Sequence, residues 1–142
     1  MNPTILVIDD DPGVRYLVKS ILEDAGYTVL LAHGGEEGLK MFDQRRIALV
    51  ITDILMPGTD GLAVIRELLS RDPETRVIAL SGGGMILTSE TSLQIARKMG
   101  AFRTMAKPFT RKELLELVTE VLQPLFPADE TTPVSVDLSS SP

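Results

Sequence analysis

The chain has 142 residues, 14 of them basic and 20 acidic, for a net charge of −6, and it contains no cysteine and one histidine. That length forms one domain able to bury most of its apolar surface without staples, and the missing cysteines exclude disulfides, thiolate chemistry and Cys-bearing zinc sites. An acidic body with no basic run argues against direct nucleic-acid binding, and with no export leader or stretch near the ~20 apolar residues of a membrane span the chain reads as soluble and cytoplasmic.

Apolar runs alternate with amphipathic stretches as far as residue 123, the pattern of a parallel sheet covered on both faces. The first strand is predicted from Thr4 to Ile8 and closes on Asp9, Asp10 and Asp11. In the helix that follows, Val14, Leu17, Val18, Ile21 and Leu22 recur at helical spacing with Arg15 and Lys19 on the opposite, solvated side, and Gly26 stops it. Asp11 before Pro12 reads as its N-cap, with proline at the first helical position. A second strand, Thr28 to Ala32, runs into His33 and Gly34-Gly35, where the histidine reads as a loop or cap residue. The third strand, Leu49 to Thr52, closes on Asp53, and a third helix spans about Gly61 to Arg71, ending before Asp72-Pro73 because a pre-proline residue disfavours helix.

The fourth strand, Arg76 to Leu80, closes on Ser81 and three glycines, Gly82 to Gly84. A fourth helix ends at Gly100-Ala101, where a helix-stopping glycine is sufficient explanation. The fifth strand, Phe102 to Ala106, closes on Lys107-Pro108, and an inward-facing Phe102 is expected in the core. Thr110 with Glu113 three residues on forms a capping-box pattern for a last helix ending near Pro124. Its Leu114, Leu115, Leu117, Val118, Val121 and Leu122 cover more than one face, which predicts deep packing on the sheet. Residues 1–123 thus form the domain, and 124–142, rich in Pro, Ser and Thr, read as a disordered or loosely attached tail.

If these strands are neighbours, their carboxyl ends share one crevice, the edge at which open α/β sheets bind ligands. Carboxylates about 4 Å apart repel by roughly 4 kcal/mol per pair at an effective dielectric near 20. Either protonation or a hard divalent cation offsets that. With no cysteine and His33 as the lone histidine, the donor set favours Mg²⁺ over zinc. Lys107 adds a cation able to bind phosphate, and Ser81 a hydroxyl. Together these groups suit phosphoryl transfer, which depends mainly on positioning and charge stabilisation, with Asp53 as nucleophile.

The stretches ILVIDDD at 5–11, LVITDILMPGTDG at 49–61, IALSGGG at 78–84 and MAKPF at 105–109 make the chain resemble a response-regulator receiver domain of two-component signalling. The resemblance implies a flavodoxin-like doubly wound fold with strand order 2-1-3-4-5 and five helices. It implies a stand-alone phosphoacceptor, not an enzyme beyond its own phosphorylation and dephosphorylation. Asp53 would accept a phosphoryl group from a phosphohistidine on a sensor histidine kinase or phosphotransfer protein, and a downstream protein target would follow. Asp10 would ligate Mg²⁺ directly and Asp9 through water, with the Leu55 carbonyl completing the protein ligands. Ser81 and Lys107 would each hold a phosphoryl oxygen, and the Lys107-Pro108 peptide would be cis, which X-Pro bonds allow at low cost. Met56-Pro57 and Gly58 to Gly61 would shape the loop, without chemistry of their own. His33 is not read as a phosphorelay histidine.

The chain departs from that family at Thr104, where a Tyr or Phe usually stands, and in a few extra residues beginning at Gly82. Three glycines loosen the backbone there, so ordering of Ser81 to Thr88 on phosphorylation is expected to pass the signal to the fourth helix. No GKS or GKT follows the glycines, which disfavours a P-loop. Two other readings are a Mg²⁺-dependent aspartyl phosphatase and a degenerate receiver that only binds partners. Such phosphatases often carry a second acid where Leu55 stands here, and retention of Asp9, Asp10, Asp53, Ser81 and Lys107 disfavours the degenerate form.

Overall fold

The computed structural model describes residues 2–56, 59–82, 94, 97–98 and 100–123. The expected tail at 124–142, and the Ser81 to Thr88 segment beyond Gly82, lie outside the described residues. Strands β1 (Thr4–Ile8), β2 (Thr28–Ala32), β3 (Leu49–Asp53), β6 (Val77–Ser81) and β7 (Arg103–Ala106) form one parallel sheet in the order β2-β1-β3-β6-β7. Counting sheet strands alone, that is the expected 2-1-3-4-5. A short antiparallel ribbon, β4 (Leu55–Met56) with β5 (Thr59–Asp60), follows β3. At two residues per strand it is too short to leave a periodic signal in the sequence.

The described helices are α1 (Pro12–Asp24), α2 (Gly35–Gln44), α3 (Gly61–Arg71) and α4 (Arg111–Leu122). The further helix expected between β6 and β7 falls outside the described residues except for Gln94, Arg97 and Lys98, which are helical. Gly100, the residue expected to stop it, lies in a turn with a φ of 114°, a conformation open to glycine at no steric cost.

Side chains alternate across each strand, so the sheet builds two cores. Ile5 and Val7 of β1 join Leu49, Ile51, Ile78 and Leu80 beneath α1 and α4, whereas Leu6 and Ile8 join Val50, Val77 and Ala79 beneath α2 and α3. β3 and β6 are buried along their whole length, as the continuous apolar runs predict for strands covered on both sides. Leu114, Val118, Val121 and Leu122 of α4 are buried, and Leu115 and Leu117 pack half-buried against the same cluster.

Two expectations are corrected. Phe102 is not core: it sits just before the edge strand β7, 38% exposed, with the guanidinium carbons of Arg76 and Arg103 each 4.6 Å from its ring centroid. An edge position leaves the ring no second layer to enter, and two cations cover its faces instead. Arg15 does not point into solvent; it is half-buried and folds back toward the end of β1.

Candidate functional site

Four strand ends build the crevice. β1 ends on Ile8, and Asp9 continues its ladder by donating its N–H to the Ala32 carbonyl at 3.1 Å, which buries the residue completely. Asp11 caps α1, its carboxylate accepting the Gly13 N–H at 2.8 Å, with Pro12 at the first helical position as expected. Asp10, between them, remains exposed. Asp53 is the last residue of β3 and 4% exposed, held in register with Leu80, while Ile54 donates to the Leu80 carbonyl at 3.0 Å.

Ser81 closes β6, fully buried, and its carbonyl accepts the Lys107 N–H at 2.8 Å. Lys107 follows β7, and the Lys107-Pro108 peptide is cis. From there the ammonium crosses the crevice to Asp53 Oδ2 at 2.7 Å and Asp9 Oδ2 at 2.9 Å. Burial draws the lysine's proton affinity down, but the hydrogen bonds and charges of Asp53 and Asp9 outweigh it, so its pKa lies above the ordinary lysine value.

Carboxylate oxygens of Asp9, Asp10 and Asp53 lie within 4.8 Å of one another. At that spacing each pair repels by roughly 3 to 4 kcal/mol at an effective dielectric near 20. One ammonium against three carboxylates leaves the crevice two charges negative, with oxygen donors only. That donor set fits a hard divalent cation such as Mg²⁺ and gives zinc neither sulfur nor imidazole.

Asp9, Asp10, Asp53, Ser81 and Lys107 therefore come from four separate strand ends to one edge of the sheet. The backbone of Leu55 follows two residues after Asp53 in β4. His33 lies apart from the acid cluster as an exposed loop residue whose N–H donates to Glu37 Oε1 at 2.8 Å. Thr104 accepts a 3.4 Å hydrogen bond from Arg97. One contact escaped the sequence reading altogether: Arg15 Nη1 donates to the Asp9 carbonyl at 2.7 Å.

The response regulator receiver domain family matches residues 5–119. This chain belongs to that family. A receiver domain is a signalling module rather than an enzyme, and the phosphatase alternative gives way to it. The chain is 30% identical to sporulation initiation phosphotransferase F of Bacillus subtilis over 122 residues, 86% of this chain and 95% of that protein. It is similar to a receiver domain from Clostridium thermocellum, at a TM-score of 0.78 and 34% identity, covering 87% of this chain and 96% of that one. The chemotaxis protein CheY4 of Vibrio cholerae superposes at a TM-score of 0.78 with 28% identity, covering 86% and 100% of the two chains. The receiver spans a smaller part of longer relatives: it covers 28% of the transcriptional regulatory protein GlrR of Escherichia coli, at 31% identity over 126 residues. Receiver domains take phosphoryl groups from histidine kinases, and the acidic triad here is of the kind that binds Mg²⁺ in them. Among the described residues, no helix is long and apolar enough to cross a membrane.

Proposed function

We propose that this receiver is a working phosphoacceptor, in which Asp53 takes a phosphoryl group from a phosphohistidine on a sensor kinase or phosphotransfer protein and the change in its surface is read by a protein target. The observation that carries this reading is the shared ammonium of Lys107, 2.7 Å from Asp53 and 2.9 Å from Asp9 within the acid cluster. A degenerate binding module has no need of a buried acid held against a lysine, an arrangement that costs desolvation of both charges.

In this reading an Asp53 carboxylate oxygen attacks phosphorus, the P–N bond to the donor imidazole breaks, and its electron pair stays on that nitrogen. Lys107 exchanges its hold on the carboxylates for a phosphoryl oxygen, and the Ser81 hydroxyl donates to another. Asp10, Asp53 and the Leu55 carbonyl would hold Mg²⁺, with Asp9 acting through water. The bound cation supplies neutralisation of the developing phosphoryl charge. Asp9, buried and bonded on every side, fixes where the lysine can reach.

Likeness over 95% of a protein named a phosphotransferase supports a relay role, in which the group moves onward to another histidine. The acidic chain, 20 acids against 14 bases, supports a protein target over nucleic acid. The lack of cysteine accords with a cytoplasmic setting.

The test incubates the full chain with Mg²⁺ and acetyl phosphate or phosphoramidate and follows intact mass. One phosphoryl adduct, labile to hydroxylamine and mapped to Asp53, is expected, and Asp53→Ala shows none. A stable hydroxyl ester, release of many equivalents of phosphate, or no adduct in the wild type overturns the reading.

A further inference from the structure

We infer that Arg15 is a positioning residue for the cation site, acting through the main chain of Asp9 on the carboxylate of Asp10; the inference rests on the phosphoacceptor reading above. Asp9 is fully buried and engaged at every polar atom. Its N–H donates to Ala32, its Oδ1 accepts the Asp11 N–H at 2.9 Å, its Oδ2 accepts Lys107 at 2.9 Å, and its carbonyl accepts Arg15 Nη1 at 2.7 Å. Of these partners, the guanidinium alone holds the peptide group that leads into Asp10.

Because that peptide is planar, fixing its oxygen fixes the plane from which the Asp10 Cα departs. Arg15 grips the same loop a second time, its own N–H donating to the Asp11 carbonyl at 3.0 Å. The three acids at 9–11 are thus bracketed by one residue of the first helical turn, by backbone at one end and side chain at the other. Asp10 itself is exposed, and a carboxylate in water keeps its rotamer freedom unless its backbone is set. Ligand orientation through such outer contacts is a general determinant of metal affinity.

Two effects of Arg15 on a cation have opposite signs, and this makes the inference decidable. As a bare charge, the guanidinium repels Mg²⁺, so its removal tightens binding. As a clamp on the Asp9 carbonyl it orders the ligand, so its removal weakens binding. The hydrogen bond at 2.7 Å on a buried carbonyl indicates that the second effect prevails.

The experiment is isothermal titration of the full chain with Mg²⁺, comparing wild type, Arg15→Met and Arg15→Lys. The Met variant keeps the bulk without a donor and is expected to bind Mg²⁺ about tenfold more weakly. The Lys variant keeps the charge with a shorter reach and loses affinity by a smaller factor, which keeps the test decisive if the Met variant does not fold. Adduct formation from acetyl phosphate then shifts to higher Mg²⁺ with its plateau unchanged. Equal or tighter Mg²⁺ binding in the Met variant, or wild-type affinity in the Lys variant, overturns the inference. A wild type that binds no Mg²⁺ overturns the phosphoacceptor reading instead.

Discussion

Lys107 and Asp9 stand 98 positions apart in the chain and meet at 2.9 Å, the ammonium straddling Asp9 and Asp53 on a side chain that is 18% exposed. The sheet order makes that contact possible, since β1 and β3 are adjacent and β7 lies one strand beyond β6. One positive charge is therefore shared between two buried acids.

Lys107→Met leaves both acids buried without that balance. Breaking a buried pair in this way costs about 3 kcal/mol, to be read as a lower urea midpoint in Mg²⁺-free buffer. Saturating Mg²⁺ recovers part of the loss, because it binds the folded state alone. The pH dependence follows from the raised folded-state pKa of the lysine. Its stabilisation is present in full below the ordinary lysine value of 10.5 and fades as pH rises through the higher folded-state value. The gap between wild type and Lys107→Met is therefore expected to stay constant from neutral pH upward until it closes in strong alkali; a gap that closes near pH ~7 contradicts this assignment.

Asp10→Asn removes one of three mutually repelling carboxylates. Without a divalent cation its thermal midpoint is expected to rise by a few degrees, while the rise that Mg²⁺ gives the wild type is largely lost. Differential scanning fluorimetry with and without Mg²⁺ reads both effects. A lower midpoint in the metal-free variant would show that Asp10 is stabilising and not in electrostatic conflict.

Gly61 opens α3 against the end of β3. A Cβ there would fall against the backbone of Ile54 and 2.7 Å from the Asp53 carbonyl, so main chain would have to shift. Gly61→Ala is expected to cost about 1–3 kcal/mol and to weaken Mg²⁺ binding together with stability, because the displaced segment carries Asp53. Urea titration and calorimetry test the pair of effects.

Thr110 and Glu113 close the capping box of α4 at 3.0 and 2.8 Å. Thr110→Ala is expected to lower stability by about 1 kcal/mol, measured by urea denaturation. A loss below the error of that measurement would mean that tertiary packing of Leu114 and Val118 sets the helix start unaided.

The strands were legible because β1, β3 and β6 are continuous apolar runs closing at an acid or a hydroxyl, whereas their order in the sheet came from the resemblance of the motifs to a receiver domain. The caps at Asp11 and Thr110 were legible because capping is local, needing only a side chain and an amide two or three residues on. Arg15 was not. Its charge and helical phase placed it on a wet face, yet a long side chain can return along the helix and spend its donors on a carbonyl six residues back. Phe102 misled for the converse reason: alternation assigns a side to a residue but does not say whether that side of an edge strand is covered. The β4–β5 ribbon fell below the length at which any period can register.

The bond between Lys107 N–H and the Ser81 carbonyl carries a mechanical consequence. The residue bearing the ammonium and the residue bearing the hydroxyl share one rung of the β6–β7 seam. A tug on either side chain is felt by the other's backbone, and the outermost strand travels with them. An anion captured at the bottom of the crevice thereby pulls directly on that edge of the sheet.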